Sequence, residues 1–368
     1  MISFGPTEEQ QVARDAMREF ATDAMRPIAR ASDEAGAVPA EFLEQAWQLG
    51  LTATQIPEAY GGGGEARSPL VNALVLEELA FGDAALALAA LAPSLFALPV
   101  LEFGTEAQKQ AHLPRFCTDR YAVASLALVE PAPAFDPIGL RAKAERKGDG
   151  WVLSGTKCFV PMADRASHFL VLARNGGGEG LEGVSAFIVP RDSAGLSISP
   201  EQNLGLRALP TGTLALERVE IPAEARLGGD DGIDAQRLVN LSRTALAAVS
   251  VGLARAVMEY AIPYAKQREA FDEAIARKQA IAFALADMRI ETDAMRWLTW
   301  KAASRLERRL DATREAHLAR LYCARQAMKI ADDGVQVLGG HGFIREHPVE
   351  LWYRNARTIG VLEGTVAI

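Results

Sequence analysis

Two long blocks with helical periodicity enclose a block that has none, and this order limits the fold more than any single motif does. Residues 1–116 carry apolar side chains three and four apart, as in EEQQVARDAMREFATDAMRPIARASD and PAEFLEQAWQLGL. Residues 117–231 break into short β-rich runs, YAVASLALV, GWVLSGTKCFV, SHFLVLAR, VSAFIVP and TLALERVEIP, bounded by Gly, Pro, Asn and Asp. RNGGGEGLEG reads as a hairpin-like connection between two of them. From 232 to 368 the helical period returns in long Ala-, Arg- and Leu-rich segments. An α, then β, then α order argues for segregated layers and against alternating βαβ units. The expected fold class is α+β multidomain: an N-terminal helical domain (1–116), a middle β-domain (117–231) and a C-terminal helical bundle (232–368).

The chain has 368 residues, 49% hydrophobic and 23% charged, enough for a large core or several packed domains. A formal charge of -8 does not favour DNA or an anionic membrane as the main partner. Cys117, Cys158 and Cys323 form no CxxC; reduced, buried thiols are expected, which suits a cytoplasmic location. The N-terminal stretch lacks the basic head and apolar core of an export signal. It reads as a capped helix, with Thr7 as N-cap and Glu8 and Glu9 in the first turn. AALALAALAPSLFALPVL, residues 84–101, is uncharged and nearly as long as the about 20 residues that cross a bilayer. Pro93 and Pro99 interrupt it, so a buried core helix broken near Pro93 is the expectation, with no membrane span.

Several chemistries find no support. GGGG at 61–64 lacks the Lys-Ser/Thr ending of a P-loop, and GGHGF at 339–343 follows a helix where a Rossmann fingerprint follows a strand. The five histidines make no metal-ligand pair, so no metal is expected. No GxSxG nucleophile elbow occurs.

Four segments form a constellation: LALVEPAPAFD (126–136), AKQREAFDEAIARKQAIAFALADM (265–288), VQVLGGHGFIREHPVELWYRNAR (335–357) and VLEGTVAI (361–368). With PEAYGG (57–62) and the α-β-α order, they resemble the acyl-CoA dehydrogenase family over essentially the whole chain. The resemblance implies a middle β-domain of barrel-like form and a C-terminal four-helix bundle. It implies FAD between them, its adenosine half held by a neighbouring subunit of a homotetramer or homodimer. A hetero-oligomer with a paralogue is a further form. The implied partners are an acyl-CoA or acyl-carrier thioester and an electron-transfer flavoprotein or similar acceptor.

The resemblance also implies residue roles. The family's base occupies either the glutamate of the terminal EGT or a bundle position just before an arginine. Here that second position is Ser242, before Arg243, so Glu363 is the candidate base. Val361 and Leu362 are expected to desolvate it, which raises a carboxyl pKa and suits a base near neutral pH. Leu128, Val129, Phe159, Val160, Pro161 and Thr365 match positions on the flavin side. Arg268, Phe271, Gln279, Gln336, Gly339 and Gly340 match other FAD-contacting positions. An arginine suits a pyrophosphate because it is always charged and forks onto oxygens. The double glycine also reads as a helix C-cap. Phe135, Asn240, Arg243 and Gly364 match positions near the acyl-CoA.

The chain departs from the family pattern on the flavin side. VEPAPAFD stands for the usual TEPGAGSD, and FVPM (159–162) for W/F-I-T-N. Pro161 has neither hydroxyl nor N–H, Val129 has no hydroxyl, and Asp272 replaces a glycine. Two readings follow: an FAD-dependent acyl-thioester α,β-desaturase, or a flavin-poor, non-catalytic acyl-CoA-binding homologue that pairs with an active subunit. Glu363 favours the first, and VEPAPAFD and FVPM favour the second.

Overall fold

The computed structural model describes residues 5–176 and 178–368. Its N-terminal region comprises α1 (Glu8–Phe20), α2 (Arg26–Ala35), α3 (Ala40–Trp47), α4 (Pro69–Gly82), α5 (Ala84–Ala90), α6 (Ser94–Phe103) and α7 (Glu106–His112). Thr7 caps α1 as expected. Its hydroxyl accepts from Gln10 N at 3.3 Å, and Gln10 Oε1 accepts from Thr7 N at 3.0 Å. The uncharged stretch forms α5 and α6, bent by 47° at the break before Ser94. Pro93 cannot donate the helical bond there, and every residue from Ala84 to Val100 is buried. Leu86, Leu88 and Phe96 are fully enclosed, each contributing roughly 1.5–3 kcal/mol by burial.

The middle region is one curled sheet of β1 (Ser125–Ala127), β2 (Lys143–Lys147), β3 (Gly150–Pro161), β4 (His168–Arg174), β5 (Val184–Pro190), β6 (Leu196–Pro200) and β7 (Thr211–Ile221). The strand order is β1-β4-β2-β3-β7-β6, with β5 on β4. β4 and β5 are antiparallel, from His168↔Pro190 to Arg174↔Val184, as the hairpin reading requires; residue 177 of their connection lies outside the described residues. β3 loses register against β7 between Lys157 and Val160, and Phe159 takes φ +53° at that bulge.

The C-terminal region is built on α8 (Ala235–Gln267), followed by the short hairpin β8 (Glu269–Ala270) and β9 (Glu273–Ala274), then α9 (Gln279–Glu307), α10 (Thr313–Leu338) and α11 (Val349–Ile359). α8 is long and apolar enough to cross a membrane, yet 83% of its apolar window is buried inside the protein. α4 lies against it so closely that a Cβ on Gly252 would stand 2.2 Å from Glu77 O. Buried charges tie these helices together. Arg255 Nη1 lies 2.7 Å from Glu77 Oε1 and 2.8 Å from Glu78 Oε1. Arg296 (α9) reaches Glu77 at 2.7 Å and Arg14 (α1) reaches Glu78 at 2.9 Å.

α11 locks the sheet onto the bundle. Asn355 Oδ1 accepts from Leu206 N at 2.6 Å, and Thr358 Oγ1 from Gly205 N at 3.0 Å. The segment after α11 is thereby delivered to the junction of sheet and bundle. Of the three thiols, Cys158 and Cys323 are buried as expected. Cys117 is only half-buried, because it sits in the exposed connection leading to β1.

Candidate active site

The junction brings together groups that are far apart in sequence. α8 presents Asn240, Ser242 and Arg243 within one turn, all buried. Ser242 Oγ accepts from Gly364 N at 3.0 Å. Arg243 Nε donates to both Glu363 oxygens, at 3.2 and 3.4 Å. Its Nη1 lies 3.3 Å from His317 Nδ1 on α10, and its Nη2 3.5 Å from Asp136 Oδ2. Asn240 donates to Thr313 Oγ1 at 3.2 Å and accepts from Gln236 at 2.8 Å. From α10, Arg320 Nη2 donates to Ile359 O at 2.8 Å and Leu362 O at 2.6 Å.

Gly364 adopts φ +64°, a conformation in which only glycine is unstrained, and a Cβ there would lie 2.7 Å from Leu128 Cβ. Leu128 therefore packs directly on the residue after Glu363, joining sheet to terminal segment. Thr365 is 1% exposed, and its Oγ1 has no hydrogen-bond partner among the described residues. A buried hydroxyl left unbonded costs roughly 1–3 kcal/mol, so this atom is suited to receive or give a bond to a bound molecule.

The surroundings of Glu363 differ from the apolar lead-in that the sequence suggests. Leu362 is buried, but Val361 is 59% exposed, since it falls in the turn after α11 and faces away from the core. The carboxylate itself is in an ion pair. Arg243 is its contact, with Nε 3.2 Å from Oε1.

On the sheet side, Val129 and Val160 are buried, and Val129 O accepts from Cys158 N at 2.9 Å. Pro161 is buried opposite Thr211 in the β3–β7 register. Phe159 N donates to both oxygens of Glu201 at 3.1 Å. Thr211 and Thr213 donate to the same carboxylate at 2.8 and 2.6 Å, so the bulge is pinned from β7. Phe135 is half-buried in the loop leading to Asp136.

The remaining sequence candidates gather elsewhere. Arg268 ends α8, Phe271 and Asp272 form the tip of the β8–β9 hairpin, and Gln279 opens α9. Phe271 and Asp272 have φ +57° and +66°, so a two-residue turn that favours glycine carries an aromatic and an acid. Gln336 lies in the last turn of α10, and Gly339 caps it at φ +58°. Tyr264 connects the two groups: its hydroxyl lies 2.9 Å from His341 Nδ1, and its carbonyl accepts from Arg268 N at 2.8 Å. Arg268, Phe271, Gln279, Gln336, Gly339 and Gly340 are all exposed, and the Arg268 guanidinium makes no hydrogen bond or ion pair among the described residues. From Arg243 to Arg268 is 25 residues of helix, about 38 Å at 1.5 Å per residue. The structure therefore does not bring this group to Glu363 within one chain.

Four contributors escape the sequence reading: Ser242 as a tether, Arg320, His317 and Glu201. Arg320 left one signal, a charged residue inside the stripe Ala316, Ala319, Cys323, Ala327 that α10 buries.

The chain matches three family models: acyl-CoA dehydrogenase, N-terminal domain (residues 7–120), middle domain (125–219) and C-terminal domain (230–368). It is 36% identical to a probable acyl-CoA dehydrogenase of Bacillus subtilis, YngJ, over 100% of this chain and 97% of that one. The structure resembles butyryl-CoA dehydrogenase from Megasphaera elsdenii with TM-score 0.88 and 30% identity, over 100% of this chain and 96% of that chain. It also resembles a glutaryl-CoA dehydrogenase from Mycobacterium smegmatis in complex with FADH2, with TM-score 0.85 and 26% identity, over 96% and 90%. The three-domain architecture, the terminal EGT held at the sheet–bundle junction and these matches place the chain in the acyl-CoA dehydrogenase family.

Proposed function

We propose that the protein is an FAD-dependent dehydrogenase of acyl-CoA or a related acyl thioester, with Glu363 as the base that takes the α-proton. One observation carries this reading. Glu363 is held at the meeting point of sheet, α8 and α10, and the next side chain but one, Thr365, is a buried hydroxyl with no partner. FAD, when bound, supplies the acceptor for the β-hydride. Thr365, Leu128, Val129 and the Phe159–Pro161 bulge would line its flavin half.

The work left to the chain's own residues is to position and desolvate. A thioester α-proton is weakly acidic, so its removal needs a base fixed in line and donors already placed for the charge that develops on the carbonyl oxygen. Ser242 fixes the backbone at Gly364, and Arg320 fixes the carbonyl of Leu362. These two bonds leave the Glu363 side chain as the movable part. Arg243 and Asn240 stand where an entering thioester would meet α8. Arg243 must exchange its contact with Glu363 for one with the entering ligand before the carboxylate can act.

Arg268 stands about 38 Å along α8 from Arg243, well away from Glu363. The exposed group at Arg268 and Gly339 therefore serves the adenosine half of a cofactor belonging to a second copy, in a homodimer or homotetramer. An electron-transfer flavoprotein or similar acceptor would reoxidise the flavin. The acidic charge and free thiols fit a cytoplasmic setting.

A second reading, a flavin-poor acyl-CoA-binding homologue, draws on Val129 and Pro161, which are buried without a side-chain donor where relatives have hydroxyls. The visible flavin absorption of the purified protein separates the two. Glu363→Gln then tests the base: it should keep fold and flavin while desaturation falls about 100- to 10,000-fold. Near wild-type turnover in that variant removes Glu363 from the role.

A further inference from the structure

We propose that Glu201 is a positioning residue for the cofactor site, a clamp that holds the Phe159–Pro161 bulge in the shape that receives the flavin. The inference rests on the reading of the protein as an FAD enzyme.

The bulge is first a question of backbone bonds. Strand β3 pairs with β7 as far as Lys157↔Leu214 and resumes at Val160↔Gly212, so Cys158 and Phe159 fall outside the ladder. Their N–H groups still need acceptors. Cys158 N finds Val129 O at 2.9 Å, in the loop after β1. Phe159 N finds Glu201, with both carboxylate oxygens at 3.1 Å. Phe159 also takes φ +53°, a conformation that is unfavourable for a bulky residue and persists only where the surroundings enforce it.

Glu201 is placed to enforce it. It lies one residue past β6, and its N–H donates to Thr211 O at 3.1 Å. The sheet runs β3-β7-β6, so its side chain crosses the width of β7 to reach β3. Thr211 and Thr213, two apart on β7 and therefore on one face, donate to Oε2 at 2.8 Å and to Oε1 at 2.6 Å. Asn203 donates to Thr211 Oγ1 at 2.8 Å and fixes that hydroxyl in turn. Between the two threonines, Gly212 faces the other way, where a Cβ would stand 2.8 Å from Ala163 Cβ. A carboxylate is acceptor-only, and here each oxygen takes one bond from a threonine and one from Phe159 N. It is occupied by the protein's own neutral donors, so any action on the cofactor runs through Phe159. Val160 and Pro161 follow directly from the bulge, and Val129 is tied to it through Cys158 N. These are the residues that line the flavin half in the proposed reading. Without the clamp the bulge takes other shapes, and a site that is competent for part of the time binds in proportion to that part.

The test is a titration of the flavin-free full-length protein with FAD, read by flavin fluorescence. Glu201→Ala should weaken FAD binding about tenfold or more. Glu201→Gln keeps an oxygen for Phe159 N and should stay within about threefold of wild type. Glycine takes a positive φ without strain, so in a Phe159→Gly background the further change Glu201→Ala should weaken binding by no more than about twofold. A folded Glu201→Ala that binds FAD as tightly as wild type overturns the proposal, even if its melting temperature falls. So does a glutamine variant as weak as the alanine one. A further loss of about tenfold in the glycine background overturns it too, because the carboxylate would then act elsewhere than on this backbone. If Glu201→Ala does not fold, Thr213→Val takes its place by loosening the carboxylate: binding weaker by about threefold upholds the clamp, and unchanged binding overturns it. A wild-type chain that binds no FAD takes down the flavin reading and this proposal together. A wild type that binds FAD, beside a Glu201→Ala that binds it equally well, removes only the role of Glu201.

Discussion

Arg243 Nε stands 3.2 Å from Glu363 Oε1 and 3.4 Å from Oε2, so the proposed base is engaged by a cation when no ligand is bound. On the proposed reading the same side chain meets the entering thioester, so Arg243→Ala should raise KM for an acyl-CoA substrate about tenfold, the loss of one charge-assisted contact of roughly 1.4 kcal/mol. An unchanged KM would show that Arg243 does not meet the ligand.

Lys157 and Glu130 form an ion pair sealed between the loop after β1 and strand β3. Lys157 is fully buried, 2.8 Å from Glu130 Oε1 and 3.2 Å from Leu128 O. Glu130 also accepts from Arg141 N at 2.7 Å and Ala142 N at 2.8 Å. Lys157→Met leaves that carboxylate charged and under-bonded, a change that typically costs about 3–5 kcal/mol. Lys157→Met with Glu130→Gln should lose less than the single variant, because the orphaned charge goes too. Urea unfolding of both variants measures this, and equal losses would contradict it.

His112 and His168 pack edge to face at 5.6 Å beside Arg115 and Phe96, and burial pushes both imidazoles down from 6.5 to about 4. Between pH 6.5 and 4 the unfolded chain takes up protons that the folded one refuses. The neutral pair therefore contributes stability above pH 6.5 that is lost as the pH falls through 4. Both rings are partly exposed, so each is discounted to about 1 kcal/mol. Asp83, raised to about 6 by burial, works in the opposite direction over nearly the same range. The clean measurement is thus the difference between wild type and His112→Phe with His168→Phe. The double variant should lose less stability than wild type between pH 6.5 and 4, and parallel curves would remove the histidines from the account.

Arg268 ends α8 with a guanidinium that has no partner among the described residues, at the exposed end of the bundle. If it holds the phosphates of a cofactor shared with a second copy, flavin binding and assembly are linked. Arg268→Ala should lower the flavin-to-protein ratio and the mass by light scattering together. Full flavin content with unchanged mass would return it to an ordinary surface arginine.

The order of elements and the character of each block follow from the sequence alone, because helical and strand periodicities are local and need no partner to be read. The cap at Thr7, the break near Pro93 and the β4–β5 hairpin are of this kind. The terminal EGT, the AKQREAF run and the GGHGF loop likewise carried the resemblance before any geometry existed. What surrounds Glu363 could not be read in that way. Ser242, Arg243, His317, Arg320 and Leu128 lie between 43 and 235 positions from it in the chain. Only the packing of α8, α10, α11 and the sheet edge sets which of them touch. Sequence put Val361 and Leu362 beside the carboxylate as an apolar collar; the turn after α11 buries one and exposes the other, and a distant arginine takes the place at its side. Arg320 shows in the sequence only as a charge set in a stripe of small residues. Its bonds to Ile359 O and Leu362 O depend on its being buried, and burial is a property of the neighbouring elements that the residue and its local sequence do not contain.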